Sequence, residues 1–184
     1  MTRWALLSGP RGTGLSQLAA DVAALLAARG LRVGGFAQAP CGAPHAGAGY
    51  RLLRLDVPEA IVLARPGAAS PEAAASIHCS YVFDATAWLA ARRWLREAAP
   101  DADVLVIDEV GKLEGRGRGH DPALAEALGA GPLVLLSVRA EQLLAVMERH
   151  GLDAPVAALE AATGAGIPGL VDAIVATVRP QASA

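Results

Sequence analysis

Two stretches with almost no polar residue, Val104-Leu105-Val106-Ile107 and Leu133 to Val138, restrict the fold more than any other feature of this chain. Neither alternates apolar with polar positions, so each predicts a strand covered on both faces. Such strands need helices above and below the sheet, and the flanking segments supply them. Trp4 to Ser8 and Arg32 to Ala37 read as further strands. From about Gly14 to Arg29 a helix is expected, with Leu15, Leu18, Val22, Leu25 and Leu26 on one face at helical spacing. Asp84 or Thr86 caps a helix through Ala98 that Pro100 and Asp101 end. Pro122 to Leu128, Ala140 to His150 and Gly169 to Val178 complete the helices, and Val156 to Leu159 is a short strand. Tyr50 to Leu55 and Ala60 to Ala64 are expected as a hairpin or edge insertion, with Ser80 to Phe83 one more strand. Pro66 to Ser76 carries no readable pattern. Strands alternating with helices predict an α/β fold, three layers α/β/α around a mostly parallel sheet. Ligands of such sheets bind at the carboxyl ends of the strands.

Composition bounds the rest. A length of 184 residues, 53% hydrophobic and 18% charged, suits one packed domain spanning 1–184. With only 4% aromatic residues, the core must be built from Ala, Leu and Val. A net charge of -2 leaves no electrostatic footprint for nucleic acid. The longest apolar stretch, Leu18 to Ala28, is interrupted by Asp21 and is shorter than a bilayer span, and Trp4 to Leu7 is too short for an export signal. Cys41 and Cys79 make no disulfide framework. A cytoplasmic protein without membrane or nucleic-acid partners is the expectation.

Between the first strand and the first helix stands Gly9-Pro10-Arg11-Gly12-Thr13-Gly14-Leu15-Ser16. It fits the phosphate-loop pattern G-x-x-x-x-G-K-[ST] at every defining position except the lysine, which is Leu15. Glycines let such a loop turn its N–H groups toward a phosphate, and the helix N-terminus adds its dipole. Gly9, Arg11, Gly12, Thr13, Gly14, Leu15, Ser16 and Gln17 are therefore the expected nucleotide-binding residues, with the Ser16 hydroxyl a magnesium ligand. Leu15 also continues the apolar stripe of its helix, so it is expected to pack inward. The missing positive charge must come from Arg11 or from Lys112, Arg116 or Arg118.

The strand Val104 to Ile107 ends in Asp108-Glu109, the form of a magnesium-holding Walker B element. Asp108 would hold the metal, usually through water, and Glu109 would orient or deprotonate an attacking water. The longer string Val106-Ile107-Asp108-Glu109-Val110-Gly111-Lys112-Leu113-Glu114 resembles the V-I-D-E-[IV]-G-[KP]-[ML]-E signature of the small P-loop nucleoside-triphosphatases. This family includes the cancer-related nucleoside-triphosphatase and its thermophile relatives. Val33-Gly34-Gly35-Phe36 and Gly49-Tyr50-Arg51-Leu52 resemble its second strand and short hairpin. The resemblance implies a RecA-like P-loop fold that hydrolyses ATP or another nucleoside triphosphate with Mg2+. It implies that Gly9, Gly14 and Ser16 hold phosphate and magnesium, that Asp108 positions the metal, and that Glu109 positions the water. The chain departs from the family at Leu15, at Gln17 and in the basic Gly115-Arg116-Gly117-Arg118-Gly119 segment. That segment either supplies a transition-state arginine or is a solvated loop, with Lys112 and Arg116 the catalytic candidates beside Glu109.

Cys41, His45, His78 and Cys79 have poor zinc spacing, and His120 and His150 read as ordinary loop and helix-end residues. Thr163 to Pro168 reads as a glycine turn before the last helix, without the guanine-reading N-K-x-D. Trp88 and Trp94 are expected as core anchors rather than a stacking platform, and Arg139, at a strand end where ligand contact is open to it, as a surface residue. Three functions stay open. Slow magnesium-dependent hydrolysis is favoured by the intact Asp108-Glu109 pair. Nucleotide binding without turnover is favoured by Leu15. Phosphoryl transfer to a small molecule would need an acceptor pocket.

Overall fold

The computed structural model describes residues 2–41, 49–67, 77–78, 81–161 and 166–179. Its first half runs β1 (Trp4–Gly9), α1 (Leu15–Ala28), β2 (Val33–Cys41), β3 (Gly49–Arg54), β4 (Ala60–Pro66), β5 (Ile77–His78), β6 (Tyr81–Phe83) and α2 (Ala85–Ala98). Then follow β7 (Val104–Val110), α3 (Asp121–Gly129), β8 (Leu133–Arg139), α4 (Leu143–His150), β9 (Ala158–Glu160) and α5 (Ile167–Val178). The described strands form a nine-stranded sheet in the order β5-β6-β4-β3-β2-β7-β8-β1-β9. From β2 to β9 all neighbours are parallel, because helices carry the chain back between them. From β2 out to β5 all neighbours are antiparallel, so the expected hairpin extends the parallel core sideways.

The apolar strands split their side chains between two cores. Val104, Val106, Leu133 and Leu135 pack with Leu7, Leu26 and Ile174 under α1 and α5. Leu105, Ile107, Val134 and Leu136 pack with Trp94, Leu95 and Leu124 under α2 and α3. A strand serving two cores has no polar face to show, which is why its sequence does not alternate. Asp84 caps α2 by accepting the Thr86 backbone N–H at 2.9 Å.

Several expected boundaries differ. β2 continues to Cys41 because its outer half pairs with β3 from Ala37 to Cys41. A short 3-10 turn, Ala140–Gln142, precedes α4. Leu25 of α1 is 45% exposed, and Ala19 and Ala23 fill the buried face instead. Most of Pro66 to Ser76, with His45, Cys79 and Thr163 to Ala165, lies outside the described residues. Among the described residues no helix is long and apolar enough to cross a membrane.

Candidate functional site

Because β1, β2, β7 and β8 are parallel, their carboxyl ends meet at one rim of the sheet. At the end of β1 the loop turns through Gly12 and Gly14, whose φ of 85° and 75° lie in the left-handed region. Thr13 Oγ1 donates to the Pro10 carbonyl at 2.8 Å and ties the loop to itself. Gly14 is the N-cap of α1 and brings no side-chain acceptor. The first intrahelical bond is Leu18 N to Gly14 O, 2.9 Å, so the Leu15, Ser16 and Gln17 amides precede the ladder at the positive end of the dipole. Leu15 is only 7% exposed and belongs to the core under α1, so its side chain brings no charge to the loop. Gln17 turns outward and donates to Asp21 at 2.8 Å. Of the loop side chains, Arg11 and Ser16 line the adjoining cavity.

The acid pair is set by an irregularity in β7. Its register with β8 shifts between Ile107 and Val110, and Glu109 has φ 57°, the only positive φ outside glycine among the described residues. Such a bulge re-aims side chains at a strand end. Asp108 becomes fully buried. Its Oδ2 accepts the Gln38 N–H at 2.7 Å, and its Oδ1 accepts the Glu109 N–H at 2.8 Å and the Ser137 hydroxyl. Burial pushes the Asp108 pKa up, against the lowering pull of bonds from Ser137, Gln38 and Ser16. Glu109 turns toward the loop and β8. Ser16 Oγ donates to its Oε1 at 3.4 Å, and Arg139 Nη2 lies 3.0 Å from its Oε2. The Cα of Arg139 pairs with that of Gly9, so β8 delivers this guanidinium beside the start of the loop. Arg139 is a partly exposed strand-end residue, 36% accessible, whose side chain also lines the cavity.

Ser16, Asp108 and Glu109 form an oxygen-only donor set, in which Glu109 is ion-paired with Arg139. A hard, partly hydrated divalent cation such as magnesium fits that set. Ser137, which holds Asp108, was legible only as the single hydroxyl in the aliphatic run Leu133 to Val138.

After β7, Glu114 is buried and accepts the Gly111 N–H and the His120 N–H, both at 2.8 Å. The Gly111 to His120 segment is therefore tied at both ends to its own carboxylate, while Lys112, Arg116 and Arg118 are exposed to solvent. Lys112 also lines the cavity, whereas Arg116 does not. His120 is no ordinary loop residue. It is 4% exposed, packs against Phe36 at 4.7 Å between ring centroids, and burial lowers its pKa to about 4. The cavity itself encloses about 360 Å3. Trp94 is in the core and Trp88 packs against it, and Trp88 also lines the cavity, stacked on Phe83 at 5.7 Å. Among the described residues no group of three or more His, Cys, Asp or Glu side chains could hold a metal.

The fold has known counterparts. The solution structure of a human cancer-related nucleoside triphosphatase matches with a TM-score of 0.72 at 22% identity, covering 98% of this chain and 100% of that one. The crystal structure of THEP1 from the hyperthermophile Aquifex aeolicus matches with a TM-score of 0.68 at 18% identity, covering 93% and 98%. At these identities the likeness shows the fold, an α/β sheet of the RecA-like P-loop type. No curated protein sequence matches the chain. The family model described as NTPase matches residues 5–156, from the first strand to the approach of β9, and the chain belongs to that P-loop NTPase family.

Proposed function

We propose that the chain binds a nucleoside triphosphate on the Gly9 to Ser16 loop and hydrolyses its terminal anhydride. The observation that carries this reading is the convergence of Ser16 from α1 with Asp108 and Glu109 from β7, the Ser16 hydroxyl lying 3.4 Å from Glu109. The loop amides cradle the phosphates. Ser16 and Asp108 would hold magnesium, Asp108 through water because its own oxygens are already engaged. Magnesium held there would neutralise charge on the phosphate oxygens. Glu109 takes a proton from a water whose oxygen bonds to the terminal phosphorus. The bond to the bridging oxygen breaks, and its electron pair leaves on the nucleoside diphosphate.

Arg11 and Arg139 supply the positive charge that Leu15 lacks, with Lys112 across the cavity. Arg139 takes the place sequence reasoning offered to Arg116. Binding without turnover is the second reading, favoured by the Glu109–Arg139 ion pair, which occupies the base. Turnover then requires Arg139 to release Glu109 for the phosphate.

Calorimetric titration with a non-hydrolysable ATP analogue, with and without magnesium, tests the site. Magnesium-dependent binding is expected, and binding of neither adenine nor guanine analogues would reject it. Glu109→Gln should abolish phosphate release while leaving analogue affinity within a few-fold; unchanged release would remove Glu109 from the chemistry.

A further inference from the structure

Hydrolysis needs room for one water, yet the cavity beside Glu109 is far larger and mostly apolar at its other end. Four of the chain's seven aromatic residues (two Phe, three Trp, two Tyr) line it: Tyr50, Tyr81, Phe83 and Trp88. Trp4, Phe36 and Trp94 are fully buried, whereas these four rings only border the core and also face the cavity. Every one of the four is half-buried, so ring surface remains open to the cavity. Tyr50 and Tyr81 sit 5.2 Å apart and share a side-chain hydrogen bond, and Phe83 and Trp88 are within 19° of parallel. A volume of about 360 Å3 suits a small molecule, roughly 300–1,000 Å3 being usual for such sites.

Two further observations point to a ligand. His120 lines the same cavity, is 96% buried, and its Nδ1 has no hydrogen-bond partner. A buried polar atom left unpaired is costly unless a ligand completes it. The position matters too. The rings come from β3, β6 and α2, on the β2 side of the acid pair, while the phosphate loop leaves β1 on the opposite side. The rings thus share one cavity with Ser16 and Glu109, and a molecule held among them would approach a phosphate there from the β2 side.

We propose that the chain transfers the terminal phosphoryl group to a hydroxyl carried by a small planar aromatic or heteroaromatic molecule held among Tyr50, Tyr81, Phe83 and Trp88. This rests on the nucleotide reading above. The acceptor oxygen bonds to the terminal phosphorus, and its proton passes to Glu109. The bond from that phosphorus to the bridging oxygen breaks, and its electron pair stays on the nucleoside diphosphate. The products are a phosphate monoester and the diphosphate. Hydrolysis is the same step with water when the rings are unoccupied, and Nδ1 of His120 completes a polar contact with the acceptor.

The test uses the whole chain with three probes: benzyl alcohol, indole-3-ethanol and pyridoxine. Binding is followed by saturation-transfer NMR with magnesium and the non-hydrolysable ATP analogue, and transfer by 31P NMR with ATP. Saturable binding of at least one probe is expected, with a monoester resonance growing alongside the diphosphate. Trp88→Ala should weaken probe binding about tenfold or more. Ala39→Phe, which fills the cavity without removing a ring, should do the same. Analogue binding without any probe binding overturns the proposal, as do bound probes with only inorganic phosphate released. Failure of the analogue itself to bind strikes the nucleotide reading instead, and the transfer with it.

Discussion

At the scale of single residues, charge has moved rather than vanished. The family pattern places its cation on the helix after the loop. Here that position is Leu15, sunk into the core, and Arg139 reaches the acid pair from the next strand. Arg139→Ala is expected to lower kcat/KM for triphosphate about a hundredfold, the usual order for one group that stabilises transition-state charge. Arg139→Lys should recover part of that loss, because the charge survives and the planar fork does not. Steady-state phosphate release measures both. If Arg139 only restrains Glu109, the alanine variant will turn over faster. Ser137→Ala has a different consequence: it removes a bond to the fully buried Asp108 and should cost about 1–3 kcal/mol, read from urea denaturation midpoints.

At the scale of elements, β2 and β7 approach so closely that one position admits no side chain. Gly35 has φ +100°, and a Cβ there would stand 2.1 Å from the Val106 carbonyl oxygen. Gly35→Ala must push the two strands apart or strain both, and β7 carries the acid pair at its end. A loss of about 3 kcal/mol or more is expected, together with lost nucleotide binding. Gly131 provides the comparison. Its φ is +105°, but a Cβ there meets nothing within 4 Å. Gly131→Ala should therefore cost only the local backbone strain, about 1–2 kcal/mol, and leave the site intact. Equal losses in the two variants would reject the close-approach argument.

At the scale of the whole molecule, stability responds to pH through groups buried around the site. Unfolded His120 takes up a proton near 6.5, but the folded chain keeps it neutral down to about 4. Protons thus favour the unfolded chain across that window, and stability falls as pH drops from 6.5 toward 4, by up to about 3 kcal/mol from this residue. Asp108 and Glu114 act the other way. Burial raises both, so the folded chain takes up their protons first and acidification relieves their cost. The melting temperature of His120→Phe should fall less between pH 6.5 and 4 than that of the unaltered chain. Equal slopes would mean that His120 is protonated when folded.

The strand-loop-helix at Gly9 to Ser16, the two near-apolar strands and the order Asp108-Glu109 were legible because each is local. Residues adjacent in sequence dictate backbone turns, burial on two faces and the polarity of a strand end. From these the three-layer α/β fold and its P-loop family followed. What the sequence could not state is which distant residues meet. Arg139 stands beside the loop because β8 pairs in register with β1. Ser137 supports Asp108 because a bulge in β7 aims the acid at β8. Tyr50, Tyr81, Phe83 and Trp88 form one wall because the antiparallel extension brings β3 beside the distant β6–α2 segment at the β2 edge. Pairing across a sheet is a long-range choice, decided by the burial of every strand at once. It is there, and not in any local motif, that the cavity acquired its aromatic end.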